Sequence, residues 1–300
     1  MRILLTGSAG QLGQAIRRNK PDLINKNEID FLALNRKEFD LSDPILCTQK
    51  ILDLRPDWVI NSGAYTSVDK AEDEPLLAMK VNSHAPEAIA IGLKQTGGKL
   101  IQLSTDFVFS GEQGTPYKTS DKKNPLNIYG KSKATAEDAV ESILLKQDQG
   151  TILRTSWVIG PVGNNFALNM LKLHKKLDFF SVVSDQIGSP TSTKSLSLAI
   201  WELIKKCQEG MIPPKILHWT DAGAASWFDI AVAVGEISKE LGIIAKTANI
   251  KPIATKDYPT KAARPSYSIL DCFESREMLG VEAKHWREAL KETLKLHYFT

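Results

Sequence analysis

A chain of 300 residues, 42% hydrophobic and 24% charged, has the make-up of an ordinary globular protein with room for a sizeable core. The net charge of +3 is nearly balanced, and the lysine pairs at 122–123, 175–176 and 205–206 have no interleaved aromatics, which argues against a nucleic-acid partner. Three scattered cysteines, no apolar run long enough to span a membrane, and Gly7 following too soon for a signal peptide predict a reducing, cytoplasmic setting without disulfides or membrane.

Taken in order, Ile3–Thr6 reads as a short buried strand that meets Gly7, Gly10 and Gly13, and a helix follows with Leu12, Ala15 and Ile16 on one side. Strand, glycine turn and helix form the setting in which backbone N–H groups cradle a pyrophosphate. The spacing G-x-x-G-x-x-G also suits a plain tight turn. A second strand over 29–34 ends in Asn35-Arg36, where an NAD-preferring site would place a carboxylate for the ribose. Arg36 can instead pair with a 2′-phosphate, so NADPH is expected to be accepted; an ordinary surface arginine is the alternative. Asp57–Asn61 is a third strand opening into the small residues of 62–66, and Val68–Glu72 leads into a helix. After Gly97-Gly98 a fourth strand ends at Thr105.

The first half is therefore βαβαβαβ, with short, almost wholly apolar strands. That pattern predicts an α/β fold: a Rossmann-like doubly wound parallel sheet covered on both faces, with ligands outside the carboxyl ends of its strands. Gly7, Asn35, Ala64 and Thr105 all fall at such ends. Beyond them, Thr151–Val158 reads as a further strand in which Trp157 either offers a flat face to a ligand or sits in the core. Phe166–Leu177 is a helix, 182–191 a strand and polar loop, and a closing helix starts near Trp286. We expect a cofactor domain over 1–155 with a return segment around 185–220, and a smaller, mainly substrate-binding lobe over 156–300.

The stretch from Leu103 to Lys133 carries the chemistry. Pro125 stops a helix from running into it, and good helix formers follow, so Tyr129 and Lys133 stand at i and i+4 on one helical face. A phenol beside an ammonium, near the strand-end Thr105, is equipped to give a proton to a carbonyl oxygen. Free tyrosine titrates near 10, too weak an acid for effective transfer at neutral pH, and a neighbouring ammonium is expected to favour its phenolate.

These motifs in this order resemble the extended short-chain dehydrogenase/reductase family, most closely its dTDP-4-dehydrorhamnose reductase branch. The resemblance spans nearly the whole chain: the glycine turn, Tyr65–Glu72, Ser104–Phe109, Pro125–Lys133, Arg154–Val158, Gly163–Phe166, Asp185–Thr191, Tyr258–Thr260 and Arg264-Pro265. It implies Tyr129 as proton donor, Lys133 as its partner and holder of the nicotinamide ribose, and Thr105 as the active-site hydroxyl. It further implies cofactor contacts from Gly10, Gln11, Leu12, Asn35, Asp40, Leu41, Ala64, Tyr65 and Thr66, joined by Gly7, Gly13 and Arg36. Substrate contacts would come from Val68, Thr105, Asp106 and Trp157, and the reaction would reduce the C4 ketone of dTDP-4-dehydro-L-rhamnose with NADPH, with NADH as a second donor. Departures from the family pattern are Phe107, Ile159, Ala263 and Ile269. Some members form a Mg2+-bridged dimer through carboxylates, one near the first helix; here that position holds Gln14-Ala15, which leaves both Mg2+ and a homodimer open.

Two other readings are open. A nucleotide-sugar dehydratase or epimerase of the same superfamily is one, but a dehydratase uses an Asp-Glu pair after the threonine, and here Phe107 follows Asp106. The other is a non-catalytic regulator that keeps the fold and binds NADP, like the regulatory subunit of methionine adenosyltransferase; intact Thr105, Tyr129 and Lys133 weigh against it.

Overall fold

A computed structural model describes residues 1–299. Six strands form one wholly parallel sheet: β1 (Arg2–Thr6), β2 (Asp30–Ala33), β3 (Trp58–Asn61), β4 (Lys99–Thr105), β5 (Gly150–Thr155) and β6 (Ile216–His218). Their spatial order is β6-β5-β4-β3-β1-β2, so the chain winds outward from β1 in both directions. Side chains alternate across the strands. Ile3, Leu5, Ile60, Ile101 and Leu103 fill one layer, while Leu4, Val59 and Leu100 fill the other. Because helices cover both faces, the middle positions of these strands are mostly apolar, as the sequence pattern predicted.

The covering helices are α1 (Gln11–Arg18), α2 (Pro44–Leu54), α3 (Val68–Asp73), α4 (Ala85–Thr96), α5 (Ile128–Ile143), α6 (Phe166–Lys176), α7 (Thr193–Gln208), α8 (Trp227–Glu240) and α9 (Trp286–Phe299). The first layer is closed by α7, whose Leu196, Ile200, Leu203 and Ile204 are buried against it. In the second layer the sheet is covered by Ile51 of α2, Ile89 and Leu93 of α4, and Val140 of α5. A separate core joins Leu168 and Leu171 of α6, Ile230 and Val234 of α8 and Leu290 and Leu294 of α9, beneath a parallel pair of strands, 179–183 and 249–253. Among the described residues no helix is long and apolar enough to cross a membrane.

One expected element is shorter than its sequence suggested. The strand read as Thr151–Val158 stops at Thr155. Trp157 has φ +46°, in the left-handed region, and this turns the chain out of the sheet before Val158-Ile159 pairs with Thr191-Ser192. Apolar and β-branched side chains on both sides of the break hid it.

Candidate active site

At the carboxyl ends of β1, β3 and β4 a buried polar chain replaces the apolar core. Thr6 Oγ1 donates to Asn61 Oδ1 at 2.6 Å, Asn61 Nδ2 to Gln102 Oε1 at 2.7 Å, and Gln102 Nε2 to the Leu103 carbonyl at 2.9 Å. Each amide in this row both donates and accepts, which is the condition for burying amides at all. The row ends at Leu103, which lines a cleft of about 540 Å³, within the range of small-molecule sites.

The glycine turn forms one wall. Helix α1 opens at Gly10 without a capping side chain, leaving its first N–H groups free of intrahelical partners. Gly7 has φ +64°, and a Cβ there would stand 2.6 Å from Gly63 Cα. A Cβ on Gly13 would stand 2.3 Å from the Gly7 carbonyl oxygen. Both contacts are closer than any side chain tolerates, so glycine lets the turn, the helix and the β3 end share one small space. Such a wall presents uncapped N–H groups and a helix dipole to an anion and suits a pyrophosphate. Gln11 braces this wall. Its Oε1 accepts from Gly160 N at 3.0 Å and Asn165 Nδ2 at 2.7 Å, tying the turn to the loop before α6.

Of the residues expected to form the site, the cleft brings together Gly7, Gly10, Gln11, Leu12, Gly13, Arg36, Asp40, Leu41, Ala64, Tyr65, Thr66, Tyr129 and Lys133. Arg36 is largely exposed at the rim, 3.9 Å from the Asp40 carboxylate. The Asp40 pKa is lowered: the Ser42 amide bonds its carboxylate, outweighing burial, and the Arg36 charge adds to this. Five expected residues lie outside the lining: Asn35, Val68, Thr105, Asp106 and Trp157. The Asn35 side chain turns back to accept from Lys37 N at 2.9 Å. Val68 begins α3, where the next residue, Asp69, binds Arg264 in a two-pronged pair with contacts of 3.2 and 2.7 Å.

Trp157 is neither in the core nor isolated. Its ring stacks on Trp227 with centroids 3.6 Å apart and planes 7° from parallel. A Cβ on Gly188 would meet the indole at 2.6 Å, so the ring lies flat against that backbone. The Trp227 indole N–H donates to Gln186 Oε1 at 3.1 Å, which fixes the pair.

Tyr129 and Lys133, the candidate proton-handling groups, both line the cleft. Tyr129 and Lys133 are one turn apart on α5, which is capped by Asn127 through its bond to Gly130 N at 2.7 Å. Burial pushes the phenol up to about 12; the nearby Thr105 hydroxyl opposes the rise and the Asp106 charge adds to it. Burial also pushes Lys133 down to about 8, with Glu137 opposing. The expected stabilisation of the phenolate by Lys133 is absent here, because the ammonium donates instead to the Leu103 carbonyl. Asp106 is pushed up by burial to about 7, against the Ser268 and Thr105 hydroxyls.

Sequence reasoning missed what holds α5 in place. Glu137, one turn beyond Lys133, is fully buried and takes both prongs of Arg154 at 2.9 and 2.7 Å, together with the Ser104 hydroxyl. An arginine inside an otherwise apolar strand was the available signal. Leu77 and Val81, which also line the cleft, carried none. A separate cavity of about 600 Å³ opens beside α1 between Arg18, Lys194 and Glu292; it contains none of the proton-handling groups. Among the described residues no group of three or more His, Cys, Asp or Glu side chains is placed to hold a metal ion.

The chain matches the model of the RmlD substrate binding domain over residues 1–299. It belongs to that family. A dTDP-4-dehydrorhamnose reductase from Aggregatibacter actinomycetemcomitans is 35% identical over 97% of each chain. The crystal structure of a dTDP-4-dehydrorhamnose reductase from Clostridium acetobutylicum is similar at TM-score 0.87 and 33% identity, covering 99% of both chains. Another, from Bacillus anthracis in complex with NADP, gives TM-score 0.84 at 31% identity over 97% of this chain and 98% of its own.

Proposed function

We propose that this protein reduces dTDP-4-dehydro-L-rhamnose to dTDP-L-rhamnose with NADPH, NADH also serving, as a step in making rhamnose for cell-surface polysaccharide. The observation that carries this reading is the meeting of Tyr129 and Lys133 with the uncapped start of α1 in one cleft of dinucleotide size. Family membership and an NADP-bound relative support it. Residues 1–155, with the return segment around 185–220, would hold the cofactor, and 156–300 mainly the sugar nucleotide.

The glycine turn would hold the pyrophosphate, Arg36 a 2′-phosphate and Lys133 the nicotinamide ribose. A reduced nicotinamide bound there supplies a hydride. Tyr129 gives its proton to the sugar oxygen as negative charge develops on it, and Lys133, freed from Leu103, offsets the charge left on the phenol. Thr105 steadies the same oxygen. Stacking on the Trp157–Trp227 pair and contacts from Val68 hold the nucleotide half, whose binding energy keeps C4 in position. Elimination chemistry has less to work with: the turn after β4 carries Asp106 alone, followed by Phe107 edge-on to Tyr129 at 5.8 Å.

The test mixes the protein, NADPH and freshly generated dTDP-4-dehydro-L-rhamnose and follows reduced-nicotinamide absorbance. We expect one NADPH consumed per sugar. Binding of NADPH without substrate-dependent oxidation would favour the non-catalytic regulator instead.

A further inference from the structure

Asp106 is 2% exposed, and its Oδ2 is a buried oxygen with no hydrogen-bond partner in good geometry, although the Ser268 hydroxyl stands close to the carboxyl. Its Oδ1 lies 3.0 Å from Thr105 Oγ1, and that hydroxyl stands beside the Tyr129 phenol. An ionised carboxylate with one bare oxygen is costly at this depth, whereas a carboxylic acid is not. A hydroxyl can accept from a protonated carboxyl and donate onward at the same time.

We propose that Asp106 is the proton reservoir for Tyr129, refilling the phenol through Thr105 after each reduction. The inference rests on the reduction reading of this site. When the Tyr129 O–H bond breaks and its proton goes to the sugar oxygen, a phenolate is left in a site that disfavours it. The Thr105 hydroxyl proton passes to that phenolate while the Asp106 carboxyl proton passes to Thr105 Oγ1. Phenol and hydroxyl are restored, Asp106 is left as a carboxylate, and no electrons move in this step. Asp106 takes its next proton from water once the product has left, and the carboxyl turns so that the protonated oxygen again faces Thr105 Oγ1. The order of acidities, about 7 for Asp106 and about 12 for Tyr129, makes the transfer downhill.

Of the titratable side chains on α5, Tyr129 feels the Asp106 charge, whereas Lys133 is paired electrostatically with Glu137; Tyr267 is the sequence neighbour of Ser268. The groups that shift Asp106 are all uncharged, so its titration is not borrowed from a neighbour.

Stopped-flow oxidation of NADPH separates the steps, with wild type as the reference. In wild type we expect steady-state kcat to fall as pH rises through about 7, while the first-turnover hydride step holds until Lys133 loses its charge near 8. In Asp106→Asn, which keeps an acceptor for Thr105, we expect first-turnover hydride transfer to fall far less than kcat does. One equivalent of NADPH is then oxidised in a burst, and kcat drops by roughly a hundredfold. The wild-type pH limb disappears. A variant that keeps wild-type kcat, or one slowed equally in both phases, would overturn the relay, as would a wild-type kcat flat from pH 6 to 8.5 (roughly the range over which such a carboxyl titrates). Wild type that oxidises no NADPH with the keto-sugar would instead remove the reduction reading itself.

Discussion

Tyr129→Phe is expected to lower kcat/KM by about a thousandfold, some 4 kcal/mol of transition-state stabilisation, while NADPH binds within about threefold of wild type. The cause is local. Tyr129, the proposed acid, is presented to the cleft by α5, and its ring helps to line the wall. Phenylalanine keeps the ring, its edge-on contact with Phe107 and the helix, and removes the hydroxyl proposed to supply the proton. Fluorescence titration with NADPH and steady-state rates measure the two quantities separately. A variant with rates within tenfold of wild type would mean that another group delivers the proton. Lys133 adds a pH signature, since burial brings it to about 8. Activity that needs its charge declines as pH rises through that value.

Glu137→Gln should be the most destabilising conservative change near the site. It leaves Arg154, only 1% exposed, as an uncompensated buried charge. Breaking a buried pair from one side costs about 3–5 kcal/mol, or on the order of 10 °C in the melting temperature of a chain this size. Burial raises the Glu137 pKa, but the Arg154 guanidinium, the Ser104 hydroxyl and Lys123 outweigh it, and the net shift is downward. A carboxylate held below its unfolded value contributes stability above about pH 4.3 and loses it as pH falls through the folded value. Thermal melts should therefore show a gap between wild type and variant that is constant from about pH 7 to 5 and narrows below about 4. A gap under about 2 °C at pH 7 would show that the pair contributes little. Since Glu137 shares a stripe of α5 with Tyr129 and Lys133, the same change is expected to loosen the proton-donating face.

The sheet was legible because burial on both faces leaves a strong mark: short apolar strands, each opening into glycine, asparagine, threonine or another small or polar residue. The i, i+4 spacing of Tyr129 and Lys133 was equally legible, since Pro125 stops a helix from running into the stretch and good helix formers follow. What the sequence hid was three-dimensional pairing. Lys133 turns to a backbone carbonyl, Gln11 ties down a loop more than a hundred residues away, and Trp157 stacks on the distant Trp227. None of these partners has a fixed spacing. The left-handed turn at Trp157 was masked for another reason: nothing in the run Thr155–Ile159 carries the glycine or proline that marks a break.

The central claim is that a hydride reaches C4 of the sugar while the protein supplies the proton. Turnover with NADPH deuterated at C4 of the nicotinamide, followed by proton NMR of the product, tests it most directly. Direct transfer predicts dTDP-L-rhamnose carrying one deuterium at sugar C4 for each cofactor consumed. Product with hydrogen at C4, or deuterium at any other sugar carbon, would contradict it.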